Sequence, residues 1–211
     1  MAHPLVVPEC LTIHAVSALS GEPICTIQVL SETTNSDVQQ RIAQEMGLGA
    51  DGISLLLEGE PLGERRLYDH AQLSVVRRVG PSIALERLAS PDYNLHISLG
   101  VDDSGRHRLV LGYEFLAHQP SHQELQLPGF YGNHFTLRQD EWTIGDDLFR
   151  CEIERTYSSE VGFFTVEQVL ESILDFEREW RPTSRGLADH HHYDGLMLNS
   201  DGASYEINWG S

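Results

Sequence analysis

The stretch LTIHAVSALSGEPICTIQVLSETTNSDVQQRIAQEMGL, residues 11–48, passes from a hydrophobic period of two to a period near four, and that change decides the fold of the front of the chain. In its first part Leu11, Ile13 and Ala15 share one face at the strand period. Ser20-Gly21-Glu22-Pro23 then predicts a turn, because Gly accepts positive φ and Pro cannot extend a central ladder. Cys25, Ile27 and Val29 form the apolar face of a second strand, with Thr26 and Gln28 on its other side. Thr34, with Asp37 three residues later, predicts a helix N-cap in the manner of a capping box. Val38, Ile42 and Met46 make a single apolar stripe, and Gly47 is placed to end the helix.

Beyond residue 48 come a third apolar run, Ile53 to Leu57, the turn Glu58 to Leu62, and a last strand, Leu73 to Val76. The segments LTIHAV, SDVQQRIAQEMGL, LLLEGEPL and RLYDHA, in that order, closely resemble ubiquitin and its relatives, the β-grasp fold. The resemblance covers residues 11–79, and its specificity lies in the ordered combination. It implies a recognition module, since this fold is not tied to one chemistry. It also implies that partners dock on an apolar patch of the sheet, matched here by Leu19, Leu56 and Val76. Leu56 stands between Leu55 and Leu57, so alternation turns one of the run outward. An exposed apolar cluster on a sheet marks a binding surface unless another part of the chain covers it.

Two departures from the family bear on function. The segment between Leu67 and Leu73 is several residues shorter than the family's, and the chain continues through Arg77-Arg78-Val79-Gly80-Pro81 instead of stopping at a Gly-Gly carboxylate. The expectation is therefore a fixed module inside a larger protein, not a conjugated tag. Residues 1–10 read as a tail, 11–79 as the ubiquitin-like domain, 80–93 as a linker and 94–211 as an acidic α+β domain.

The net charge is −18, with −5 on residues 1–80 and −13 on residues 81–211. A field of that sign excludes nucleic acid and anionic membranes as partners, since both need cationic patches. No apolar run spans a membrane, and the first residues lack the pattern of a signal peptide. Three cysteines, Cys10, Cys25 and Cys151, lack metal-like spacing and point to a reducing compartment, cytoplasmic or also nuclear. All 14 basic residues are Arg. That removes Schiff-base and lysine-base catalysis and lysine-linked self-ubiquitylation, although compositional bias explains it equally well.

In the second domain, Leu95–Leu99 and Arg108–Leu116 predict strands about the turn Asp102–Gly105. His134–Arg138 and Phe149–Arg155 predict two more. Thr165 and Gln168 predict the capping box of a strong helix that Pro182 stops. Tyr193–Asn199 and Ser204–Trp209 predict a closing hairpin about Ser200-Asp201-Gly202. The expectation is an antiparallel sheet with a helix packed across it, and the fold class of the whole is α+β.

Three places invite chemistry. His190 and His192 share a face if Asp189–His192 enters the strand, and would be the metal candidates, but no spacing supplies a third ligand. Cys151, between Phe149 and Ile153, reads as a small buried hydrophobe and not as a nucleophile. The acidic stretch Asp140–Asp147 misses calcium-loop spacing and reads as a solvated turn with Trp142 in the core. Phe130, Tyr131, Phe163 and Phe164 read as core edges, one of which lines a peptide groove. The resulting expectation is a non-enzymatic adaptor without catalytic residue, metal or cofactor, docking on proteins of the ubiquitin pathway or the proteasome. The alternative is a hydrolase or metal-dependent enzyme in residues 82–211 that the ubiquitin-like domain localises.

Overall fold

The computed structural model describes residues 9–101, 105–113, 118–144, 147–180 and 192–210. The chain is a mixed α+β protein that divides into two compact units, Met1–Arg78 and Val79–Ser211.

The first unit runs β1 (Cys10–Ser17), β2 (Pro23–Leu30), α1 (Asn35–Glu45), β3 (Ile53–Leu57), β4 (Glu60–Pro61) and β5 (Ala71–Arg77). Its sheet has the order β2-β1-β5-β3-β4. β1 pairs antiparallel with β2 and parallel with β5, while β3 pairs antiparallel with β4 and β5. The parallel pair needs a long connection, and the chain from β2 through α1 to β3 supplies it. Cross-strand partners Leu11 and Val29, Ile13 and Ile27, Ala15 and Cys25 share the inner face, which is the period-two reading realised.

α1 begins where its cap places it. The Thr34 hydroxyl accepts from the Asp37 N–H at 3.2 Å and donates to the Asp37 carboxylate at 2.7 Å. Val38 and Ile42 are fully buried, Met46 packs at the edge of the same core, and Gly47, at φ +68, turns the chain out of the helix. The Asn35 amide donates to the carbonyls of Gly63 and Arg65, both at 2.8 Å, and so ties the segment after β4 to the start of α1. Between β3 and β4, Glu58 and Gly59 both adopt positive φ, the geometry of a tight hairpin turn.

The second unit contains β6 (Gly80–Pro81), α2 (Ile83–Glu86), β7 (Leu95–Val101), β8 (His107–Tyr113), α3 (His122–Leu125), β9 (Pro128–Tyr131), β10 (His134–Ile144), β11 (Asp147–Ser158), β12 (Phe163–Thr165), α4 (Val166–Trp180), β13 (His192–Leu198) and β14 (Ser204–Gly210). Among the described residues these strands make a six-stranded sheet, order β11-β10-β14-β13-β7-β8, and a small sheet, order β12-β9-β6. α4 starts at the expected reciprocal cap, with Gln168 Oε1 accepting from the Thr165 N–H at 2.9 Å and Thr165 Oγ1 accepting from the Gln168 N–H at 3.2 Å. Its residues Val169, Ile173 and Phe176 are buried in one core with Leu95, Phe135, Leu137, Tyr193 and Ile207 of the strands.

Three expectations for this unit are corrected. Residues 80–93 are not a free connector: Gly80 and Pro81 pair with β9, and Leu85 and Leu88 are buried in the core. Ser82 fixes that arrangement, its hydroxyl donating to the Pro128 carbonyl at 2.6 Å while accepting from the Leu85 N–H. The large sheet is not purely antiparallel, because β10 and β14 run parallel. The stretch from Asp140 to Ile144, expected as a solvated turn, is strand, with Glu141 to Ile144 paired with β11 beyond an irregularity at Asp140. The side chains of Trp142 and Cys151 lie outside the described residues.

Candidate protein-binding site

In the first unit, inward residues alternate with an outer row. β3 reads buried, exposed, buried, half-buried, buried, so Leu56 is the member of Leu55-Leu56-Leu57 that turns outward. Cross-strand pairing sets its neighbours: Leu56 is opposite Ser74 on one side and Pro61 on the other, and Ser74 is opposite Val16. Val76, two residues beyond Ser74, is opposite Ser54 and lies on the same face, diagonal to Leu56. It is 39% exposed. The small Ser54 and Ser74 leave the two apolar side chains standing above a shallow surface.

Leu19 is carried by the turn between β1 and β2 and is fully solvent-exposed. The turn is tied to β5, since the Ala18 N–H donates to the Val75 carbonyl at 3.0 Å. Leu19 therefore sits at the Val76 end of the sheet. Leu56 and Val76 share one face of the sheet, and Leu19 is on the loop at its border. Arg77 is exposed at the end of β5, and Arg78 donates to the Asp51 carbonyl at 3.3 Å.

At the opposite end of the outer face lies a polar cluster that sequence reasoning missed. His14 Nε2 and His70 Nδ1 share a hydrogen bond at 3.2 Å, their rings stacked 5.6 Å apart, and His14 Nδ1 meets Thr26 Oγ1 at 3.2 Å. Asp69 accepts from the Thr12 N–H at 2.8 Å and from the His70 N–H at 3.1 Å. The Thr12 contact is the main reason the Asp69 carboxyl titrates below the ordinary carboxylate range. Outward positions of β1 carried the only signal, because His14 alternates with the buried Ile13 and Ala15.

In the second unit His192 is paired with His96, their rings edge to face 6.3 Å apart, while His190 lies outside the described residues. Among the described residues no three His, Cys, Asp or Glu side chains converge as a metal site would require. Tyr193, beside them, is buried, its hydroxyl has no hydrogen-bond partner among the described residues, and burial pushes its pKa well up. Among the described residues no helix is long and apolar enough to cross a membrane. Set beside the known protein-family models and the curated proteins, the chain matches none of them.

Proposed function

We propose that residues 11–79 are a ubiquitin-like β-grasp module and that the protein is a non-enzymatic adaptor. The module docks on ubiquitin-pathway proteins or the proteasome through Leu19, Leu56 and Val76. The observation that carries the reading is the diagonal placement of Leu56 and Val76 on one outer face of a sheet ordered β2-β1-β5-β3-β4, with Val76 left exposed. Leu56 is half-buried and Val76 39% exposed, so covering them with a partner gains part of the about 1.5–3 kcal/mol that full burial of such a side chain is worth.

The test is capture of purified ubiquitin receptors and proteasome by the full chain, compared with Leu56→Glu and Val76→Glu. Both variants should lose capture while keeping the circular dichroism of the parent. Val76→Glu guards against a folding artefact, because its side chain already meets water. Capture unchanged in both variants overturns the reading.

A further inference from the structure

Between α4 and the segment joining β11 to β12 lies an open groove of about 530 Å³. One wall is a single face of α4, Gln168, Glu171, Ser172 and Asp175, at the spacings that bring helical side chains together. The other is Tyr157 through Val161, and Phe164 forms the buried floor. The second wall is built in advance. The Ser159 N–H donates to the Asn133 carbonyl at 2.7 Å, its hydroxyl donates to the Phe163 carbonyl at 2.6 Å, and the Gly132 N–H donates to the Gly162 carbonyl at 3.0 Å. Tyr157 spans the base of the groove, donating to the Ser172 carbonyl at 2.9 Å. A groove fixed in this way pays little ordering entropy when it is filled.

Its chemistry is one-sided. Val161 holds an apolar side chain 69% exposed at the rim. Glu160 and Glu171 line the groove and form no ion pair among the described residues, while Asp175 is already matched by Arg155 at 2.6 Å. Among the described residues no cationic side chain lines the groove. Apolar floor and rim call for apolar side chains, two unmatched carboxylates call for cations, and residues 81–211 carry a charge of −13 that steers cations in. An open cleft between a strand end and a helix suits an extended segment laid along it.

We propose that this groove of the second unit docks an extended peptide segment of a partner protein in which Arg or Lys alternates with aliphatic residues. The cations meet Glu160 and Glu171, and the aliphatic side chains pack on Phe164 and Val161. The inference does not depend on the reading of the first unit, which concerns different residues.

The test pans a random-peptide display library on the full immobilised chain and, in parallel, on the Glu160→Gln/Glu171→Gln variant. The expected pool from the parent is enriched in Arg and Lys beside aliphatic residues, and its leading peptide binds the variant roughly tenfold more weakly. Added salt weakens that peptide's binding to the parent. In amide spectra of the labelled chain the same peptide shifts Ser159, Val161 and Gln168, and Val161→Ser, which removes the apolar rim without adding charge, weakens its binding. Both glutamates are exposed, so the variant folds, which its unshifted remaining amides will verify. A pool without basic bias, equal binding to the variant, or shifts confined to other residues overturns the proposal.

Discussion

Gly129 is the position where a single methyl group meets backbone that cannot move aside. A Cβ built there would stand 2.7 Å from Val166 Cα, 2.8 Å from Val166 N and 3.0 Å from Thr165 C, all main-chain atoms at the junction of β12 and α4. The same junction is pinned by the Val166 N–H donating to the Leu127 carbonyl at 2.9 Å. Gly129→Ala should therefore destabilise the second unit by about 1–3 kcal/mol or more, through overpacking. Gly202 is the control, with φ +68 but open space around it, so Gly202→Ala carries conformational strain of roughly 1–2 kcal/mol without a clash. Denaturant unfolding of the two variants, with near-native amide spectra for Gly202→Ala and shifts spreading from Val166 for Gly129→Ala, checks the distinction. At this scale the sequence was silent: nothing beside Gly129 marks it, because the atoms it must admit come from a helix start 37 residues on. Leu56 was readable by contrast, since its outward direction follows from alternation within its own strand.

Elements whose signals are local were legible, and those made by distant pairing were not. α1 and α4 each carry a side-chain cap and an apolar stripe within a dozen residues, and both begin at the predicted residue. Thr34→Ala should cost α1 about 1 kcal/mol, the usual loss of such a cap. Ile42→Ala, which empties a fully buried site, should cost about 2–5 kcal/mol. Equal costs, measured by chemical denaturation, would mean that packing does not hold α1. β6, β9 and β12 escaped notice because each is short and is a strand only by virtue of its partners: Gly80 opposite Tyr131, Phe163 opposite Tyr131. The aromatic residues of β9 and β12 were expected at core edges, but Phe130, Tyr131 and Phe164 are buried and only Phe163 is half-buried; Phe164 is also the floor of the α4 groove. The groove itself was hidden, since its walls come from two segments that the hydrogen bonds of Ser159, Gly132 and Tyr157 bring into shape.

For the whole molecule the governing quantity is the surplus of carboxylates, 32 against 14 Arg, and two in the second unit, Glu124 and Asp201, are held strongly in the charged form. The Ser121 N–H and hydroxyl, each donating at 2.8 Å, and the Tyr93 hydroxyl at 3.0 Å hold the Glu124 carboxyl at a pKa of about 2. Asp201 is likewise brought to about 2, chiefly by the Ser204 hydroxyl at 2.6 Å and then by the N–H groups of Ala203 and Ser204. In the unfolded chain these groups titrate near the ordinary values of about 4.3 and 3.9. Because the folded values are depressed, the stabilisation they confer is complete above about pH 4.5 and is lost as pH falls toward 2. Self-repulsion works the other way: the −18 charge at pH 7 destabilises the compact state and is relieved as the pH falls. Stability should thus rise from pH 7 toward about pH 5 and fall below about 4.5, and added salt should raise it at pH 7 but hardly near pH 5. Urea unfolding across this range checks the profile. Glu124→Gln/Asp201→Asn should lower stability at pH 7 and flatten the acid limb of the second unit, whereas an acid limb as steep as the parent's would show that these two hydrogen-bonded carboxylates do not govern it.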